Sequence, residues 1–160
     1  MNFEVVIQRL CDAGVQFVVI GGWAAIFHGS AHVTNDLDVC YSRDRENLRK
    51  LADALAPYRP RPRGFPDDLP FVWDASTLAN GTVFTLTTDL GILDLLAEVS
   101  GIGTYADVYA VSVELDAFDR RLRALDLPAL IRSKKAAGRE KDLSMLPELE
   151  SLLEAGGEER

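Results

Sequence analysis

The stretch VQFVVIGGWAAIFHGSAHVTNDLDVCY, residues 15–41, decides the fold and contains the first candidate functional residues. Its β-branched run at 15–20 predicts a short buried strand, and residues 22–27 predict a short helix that begins directly after it. After a polar loop, residues 36–41 alternate polar and apolar side chains, which is typical of a strand with one buried face. The stretch therefore predicts strand, helix and strand, with a glycine pair at the first junction and two aspartates on the second strand.

The rest of the chain continues this mixture of helical and strand patterns. Helices are predicted at 3–11, 44–55, 126–137 and 143–153, and strands at 82–88, 92–96, 111–115 and 121–125. The turn at residues 89–91 predicts that the strands on either side of it pair as a hairpin. We expect an α/β (α+β) fold in which a mixed β-sheet is flanked by helices. It would form a single domain over residues 1–160, with a helical C-terminal lobe from about Asp126.

Charge and hydropathy exclude several classes of protein. With 17 Lys and Arg against 25 Asp and Glu, the chain has a formal net charge of −8, so a broad basic face for duplex DNA is not expected. The longest apolar run, residues 17–27, is shorter than the roughly 20 residues that a membrane-spanning helix needs. The N-terminus lacks the basic segment of a signal peptide, and two cysteines cannot build a disulfide framework. We expect a cytoplasmic protein with no membrane partner.

Three aspartates are the candidate catalytic and metal-binding residues. Asp36 and Asp38 are two residues apart on a predicted strand, so both carboxylates project from the same face. Adjacent carboxylates repel each other unless a cation lies between them, and Mg²⁺ prefers oxygen ligands. Asp94 lies inside the apolar run 92–96, where a lone carboxylate is costly to bury unless it is paired or binds a metal. The alternatives are a solvated face for the first two and an exposed edge strand for Asp94.

Glycines and basic residues are the candidate phosphate ligands. Gly21 and Gly22 join a strand to a helix, where backbone N–H groups can approach a phosphate closely, although a glycine pair is also a common tight turn. Arg132, Lys134, Lys135, Arg139 and Lys141 form a basic cluster in an acidic chain. Lys134 and Lys141 would share the buried face of one helix, where lysines meet an anion or extend to solvent. The alternative is a solvated helix in which Arg139 pairs with Asp142.

The proline-rich segment 57–70 is predicted to be an extended loop. Arg59, Arg61 and Arg63 alternate with prolines there. Such a run could hold a nucleic-acid backbone, and a solvated loop is the alternative.

In this order, the motifs resemble the nucleotidyltransferase superfamily, which has the DNA polymerase β-like fold. The matching residues are Val19-Ile20-Gly21-Gly22, then Asp36-Leu37-Asp38 on the next strand, with Asp94 as the family's third carboxylate. The resemblance implies a nucleotidyltransferase fold and a two-metal Mg²⁺ site formed by the three aspartates. It also implies transfer of a nucleoside monophosphate from an NTP to an acceptor hydroxyl on an RNA end such as tRNA, a protein or a small molecule. The nucleotide-binding residues would be Gly21, Gly22, Lys134, Arg139 and Lys141.

Residues 134–143 are similar to a narrower motif, the Lys…Arg-x-Lys-Asp motif of AbiEii-type nucleotidyltransferases. That branch includes toxins of toxin–antitoxin systems, so the resemblance implies a cognate antitoxin as a further partner. The branch often has a second Asp three residues after the Lys-Asp pair, where this chain has Met145. The alternative function is a degenerate nucleotidyltransferase fold that binds a nucleotide or a partner without catalysis.

Overall fold

A computed structural model describes residues 2–158 of the chain. Its strands are β1 Phe17–Ile20, β2 Asp36–Tyr41, β3 Arg61–Pro62, β4 Val83–Thr88, β5 Gly91–Leu96, β6 Glu98–Val99, β7 Gly103–Thr104, β8 Ser112–Ala117 and β9 Arg120–Leu125. Its helices are α1 Phe3–Asp12, α2 Gly21–Phe27, α3 Arg45–Leu55, α4 Ala75–Ala79, α5 Tyr105–Ala110, α6 Leu127–Ala137, α7 Glu140–Leu143 and α8 Leu146–Glu158. A short 3₁₀ turn, Ala56–Tyr58, follows α3.

Within residues 2–158, seven of the strands form a mixed sheet in the order β3-β4-β5-β2-β1-β9-β8. The central strands β2 and β5 are parallel, β1 runs antiparallel to β2, and β4 pairs with β5 as the predicted hairpin. Strands β6 and β7 pair separately. The predicted α/β fold with a mixed sheet flanked by helices is confirmed.

The two faces of β2 differ as the alternation of its sequence predicts. Leu37, Val39 and Tyr41 are completely buried in the hydrophobic core, whereas Asp36 and Asp38 are on the opposite face. Leu93 and Leu95 on β5 are also completely buried, and Asp94 lies between them on the other face. The apolar face therefore fixes the register of the central strands, because a slip of one residue would bury the aspartates in the core.

Helix α6 begins and ends where the sequence predicts. The side chain of Asp126 accepts a hydrogen bond from the Ala129 N–H at 2.8 Å, and Pro128 occupies the first turn. Gly138 ends the helix with φ +68°. Helices α6, α7 and α8 form the predicted helical C-terminal part.

Other predictions need correction. The predicted helix at 143–153 is wrong at its start, because α7 ends at Leu143 and α8 begins at Leu146. The proline-rich loop contains a two-residue edge strand, β3. Proline is tolerated there, because it lacks a backbone N–H group and an edge strand pairs on one side only. Helices α4 and α5 were not predicted, since both are short and lack a clear apolar repeat. Among residues 2–158, no helix is long and apolar enough to cross a membrane.

Candidate active site

Two aspartates lie side by side in the middle of the sheet. Asp38 on β2 and Asp94 on β5 are register partners in the parallel pairing of these strands. Such partners project to the same side of a sheet. Asp36 lies two residues earlier on the same face of β2 and is partly exposed. Because β5 lies between β4 and β2, Asp94 is not on an edge strand, and that alternative is wrong.

The carboxyl group of Asp38 is held in an unfavourable environment for a negative charge. Its burial, together with the adjacent Asp94 and the charge of Asp36, raises the pKa of Asp38 to about 7, despite the opposing charge of Lys134. Asp38 Oδ1 and Asp94 Oδ1 are buried and find no hydrogen-bond partner among residues 2–158. Two buried carboxylate oxygens without donors are an arrangement that a bound cation would satisfy.

Gly21 packs directly against the carboxylate of Asp38. Ile20, the last residue of β1, is the register partner of Asp38, and Gly21 follows it at the start of α2. The φ angle of Gly21 is +65°, and a Cβ at this position would overlap the carboxylate of Asp38. Glycine is therefore required here both by the backbone conformation and by the close approach of Asp38.

Gly22 is placed differently from Gly21. A Cβ on Gly22 would meet the side chain of Thr34 at 2.9 Å. Gly21 lines the cavity beside the aspartates, whereas Gly22 is absent from that lining within residues 2–158. The structure therefore separates the predicted glycine pair, and Gly22 serves the packing of α2 against the loop before β2.

Lys134 and Arg139 face the aspartates from the C-terminal helices and are tied together by Asp142. The Lys134 side chain is only 14% exposed, and its Nζ donates to Asp142 Oδ1 at 3.3 Å. Arg139 donates to the same carboxylate through Nε at 2.6 Å and Nη2 at 3.2 Å. Burial opposes ionisation of Asp142, but the hydrogen bonds from Arg139 and the charge of Lys134 outweigh it and hold the pKa of that carboxyl below its usual range.

The placement of Lys141 corrects the helical-face argument. Gly138 ends α6, so Lys141 belongs to α7 and does not continue the face that carries Lys134. Lys141 nevertheless lines the same cavity, although its side chain is exposed. The predicted pair of Arg139 with Asp142 forms as well, so Arg139 is both paired and part of the cavity wall.

The aspartates and basic residues enclose one cavity of about 230 Å³. The predicted residues that line it are Gly21, Asp36, Asp38, Asp94, Lys134, Arg139 and Lys141. Sequence reasoning missed Thr85, Ser100 and Ser133, which also line it, and it named Asp142 as a partner of Arg139 but not as a site residue. Thr85 had a usable signal, because it is the hairpin partner of Asp94 and so shares its face. Ser100 follows the two-residue strand β6, which carried no recognisable pattern.

The three aspartates have the oxygen ligands that a divalent cation prefers, although their side chains do not already surround an ion position. Within the described part of the chain, no three His, Cys, Asp or Glu side chains are already arranged as an ion-binding group. The unpartnered oxygens of Asp38 and Asp94 supply two hard ligands, and Asp36 offers a third from the same face. Mg²⁺ is commonly bound through one or two carboxylates and completes its shell with water and substrate phosphate.

The mixed α/β structure, with helices on a mixed sheet, has a solved structural neighbour with a similar fold. It is similar to the crystal structure of the lincosamide antibiotic adenylyltransferase LnuA with lincomycin bound. The TM-score is 0.63, the sequence identity is 15%, and the match covers 95% of this chain and 98% of that one. No family model matches the sequence, and no curated protein sequence matches it. The likeness establishes the fold.

Proposed function

We propose that this protein is a metal-dependent nucleotidyltransferase that transfers a nucleoside monophosphate from an NTP to an acceptor hydroxyl, releasing pyrophosphate. The observation that carries the proposal is the pair Asp38 and Asp94, which lines a cavity together with Lys134 and in which each carboxylate has one buried oxygen without a hydrogen-bond partner among residues 2–158. Apposed carboxylates in a cavity walled by basic residues suit phosphoryl transfer, because that reaction needs a hard-metal site and neutralisation of phosphate charge.

Each residue has a role in this proposal. Asp36, Asp38 and Asp94 would hold two Mg²⁺ ions, which when bound supply charge neutralisation at the reacting phosphate. Gly21 lets the carboxylate of Asp38 lie against the start of α2, because it has no side chain. Lys134, Arg139 and Lys141 neutralise the negative charge of the triphosphate. Asp94 orients the attacking hydroxyl and accepts its proton.

Two acceptor classes are supported by different observations. The structural neighbour was solved with lincomycin bound, so a small hydroxylated molecule is the first candidate acceptor. The second candidate is an RNA end such as tRNA, in a toxin–antitoxin system of AbiEii type. It is favoured by the cavity wall of Lys134, Arg139 and Asp142, which are the residues of the Lys…Arg-x-Lys-Asp motif. A protein hydroxyl would be the third class to assay.

The test is a labelling assay with each of the four [α-³²P]NTPs and Mg²⁺, run against small hydroxylated molecules, tRNA and protein. We expect label in one acceptor class together with release of pyrophosphate. Failure to label any acceptor would contradict the proposal. If NTP with Mg²⁺ then raised the melting temperature without turnover, the degenerate nucleotide-binding alternative would be favoured instead.

The lysine pair 134 and 135 offers a matched comparison. Lys134 points into the cavity, whereas its neighbour Lys135 is 58% exposed and pairs with Glu150. We expect Lys134→Ala to lower kcat/KM for the NTP by roughly 10- to 100-fold, because a charge-assisted phosphate contact is lost. Lys135→Ala should stay within about twofold of wild type. If steady-state kinetics showed the same loss of kcat/KM in both variants, the proposed role of Lys134 in nucleotide binding would be contradicted.

A further inference from the structure

A second and larger cavity lies at the β3 edge of the sheet. Its volume is about 680 Å³, against about 230 Å³ for the cavity that contains the aspartates. We call it the edge cavity, and the residues of its lining that matter here are Arg59, Arg61, Asp67, Phe71, Trp73 and Thr87. Its volume is within the range typical of small-molecule sites.

Strand β4 contributes a threonine to the lining of each cavity. Thr85 lines the cavity with the aspartates, and Thr87, two residues further on, lines the edge cavity. Residues two apart in a strand share a face and are separated by roughly 7 Å. Thr85 is also the register partner of Asp94. A molecule held in the edge cavity therefore needs to extend only about the width of one ring to bring a hydroxyl toward Asp94.

The arginines of the edge cavity are already engaged, which argues against a polyanion. Arg59 makes a bidentate pair with Asp89, at 2.9 to 3.2 Å. The Nη2 of Arg61 donates to the carbonyl oxygens of Pro66 and Leu69 at 2.8 and 2.9 Å. The carboxylates of Asp67 and Asp89 balance the two guanidinium charges within the lining. An RNA backbone is bound through unengaged cations, so the arginine run is a poor match for it.

The groups that stay free match the donors and acceptors of ring hydroxyls. Thr87 is exposed in the lining, and its hydroxyl can donate and accept. Asp67 is exposed and its carboxylate can accept. Phe71 and Trp73 supply aromatic walls, and the indole of Trp73 is fixed by its hydrogen bond to the Ala52 carbonyl at 2.8 Å. A saturated ring with hydroxyls on its edge fits such aromatic and polar walls together.

We propose that the edge cavity binds the acceptor, and that the acceptor is an uncharged molecule with a hydroxylated ring, such as a glycoside. This inference rests on the proposed nucleotidyl transfer. In the reaction, a hydroxyl oxygen of the acceptor forms a bond to the α-phosphorus of the NTP, and the bond from that phosphorus to pyrophosphate breaks. Pyrophosphate leaves with the electron pair, and the hydroxyl proton passes to Asp94. The product is a nucleotidylated glycoside.

Binding can be tested without NTP by saturation-transfer NMR with methyl α-D-glucopyranoside, methyl β-D-galactopyranoside and methyl α-D-mannopyranoside as probes. We expect signal transfer to the ring protons of at least one probe with wild-type protein. Phe71→Ala and Asp67→Asn should reduce that transfer several-fold. The adjacent exposed residue Asp68 is outside the cavity lining, so Asp68→Asn is the matched control and should leave it unchanged.

The outcomes separate this inference from the proposed function. No transfer to any probe, or equal transfer in wild type and Phe71→Ala, would overturn the edge cavity as the acceptor site. Competition by an RNA trinucleotide that depends on Phe71 would also overturn it, in favour of an RNA acceptor. If the wild type binds a probe through Phe71 but turns over no NTP with any acceptor, the edge cavity is retained as a ring-binding site and nucleotidyl transfer is rejected. A melting shift with NTP and Mg²⁺ in Phe71→Ala would show that the nucleotide site is intact.

Discussion

Replacing Asp38 with asparagine is expected to reduce nucleotidyl transfer on the order of 1000-fold or more, because the substitution removes a negative charge from the proposed metal site. Asparagine has nearly the same shape, so the strand pairing of Asp38 with Ile20 and Asp94 should be retained. The measurement is the labelling assay, with circular dichroism to confirm that the variant is folded. A variant that keeps more than a tenth of wild-type activity would contradict the role of Asp38.

The same substitution should make the protein more stable at pH 8 when no divalent ion is added. The folded-state pKa of Asp38 is about 7, well above the value of roughly 4 for an aspartate in an unfolded chain. The folded state therefore binds a proton more readily between pH 4 and 7, and the contribution of Asp38 to stability falls as the pH rises through that window. Asparagine avoids this penalty because it is never charged.

We expect Asp38→Asn to raise the melting temperature on the order of 5 °C at pH 8 and to have little effect near pH 4. Adding Mg²⁺ and an NTP should stabilise the wild type and leave the variant unchanged. Differential scanning calorimetry at the two pH values measures both effects. A variant less stable than wild type at pH 8 would mean that the Asp38 carboxylate is satisfied in some other way.

Gly21→Ala is the second substitution with a large expected effect. Its φ of +65° disfavours any side chain, and the added Cβ would push against the carboxylate of Asp38. We expect a loss of about 2–3 kcal/mol in the free energy of unfolding and a strong loss of transfer activity. Urea denaturation measures the free energy of unfolding, and the labelling assay measures the transfer activity.

Gly64 provides the matched control for this substitution. It also has a positive φ, +78°, but a Cβ there would meet no atom within 4 Å among the described residues. Gly64→Ala should cost only about 1 kcal/mol and leave transfer unchanged, because it carries the backbone strain without the steric overlap. If both variants lost equal stability and activity, close approach to Asp38 would not be the reason for glycine at position 21.

Local patterns made the centre of the fold predictable. The alternation at Asp36–Tyr41 matches β2 from its first to its last residue, because one face had to be apolar. The turn at 89–91 predicted the β4–β5 hairpin. Asp94 stood out because it interrupts an apolar run, and its position opposite Asp38 needed only that β2 and β5 be neighbours. The roles of these aspartates stay predictions until they are measured.

Long-range contacts and helix breaks were beyond the sequence. The burial of Asp142 depends on α7 folding back against α6, which no local pattern announces. Lys141 was predicted to share one helix with Lys134, whereas Gly138 ends α6 and Lys141 lies in α7. The edge cavity depends on β3, a strand of two residues in a segment whose prolines predict an irregular loop.

The most direct test of the central claim is to measure Mn²⁺ binding by electron paramagnetic resonance. The measurement is made in the presence of a non-hydrolysable α,β-methylene NTP analogue. The claim is that Asp36, Asp38 and Asp94 hold divalent ions together with the triphosphate. It predicts that wild-type protein binds Mn²⁺ beyond what the free nucleotide binds, and that Asp38→Asn and Asp94→Asn abolish this binding. Identical Mn²⁺ binding by the wild type and both variants would contradict it.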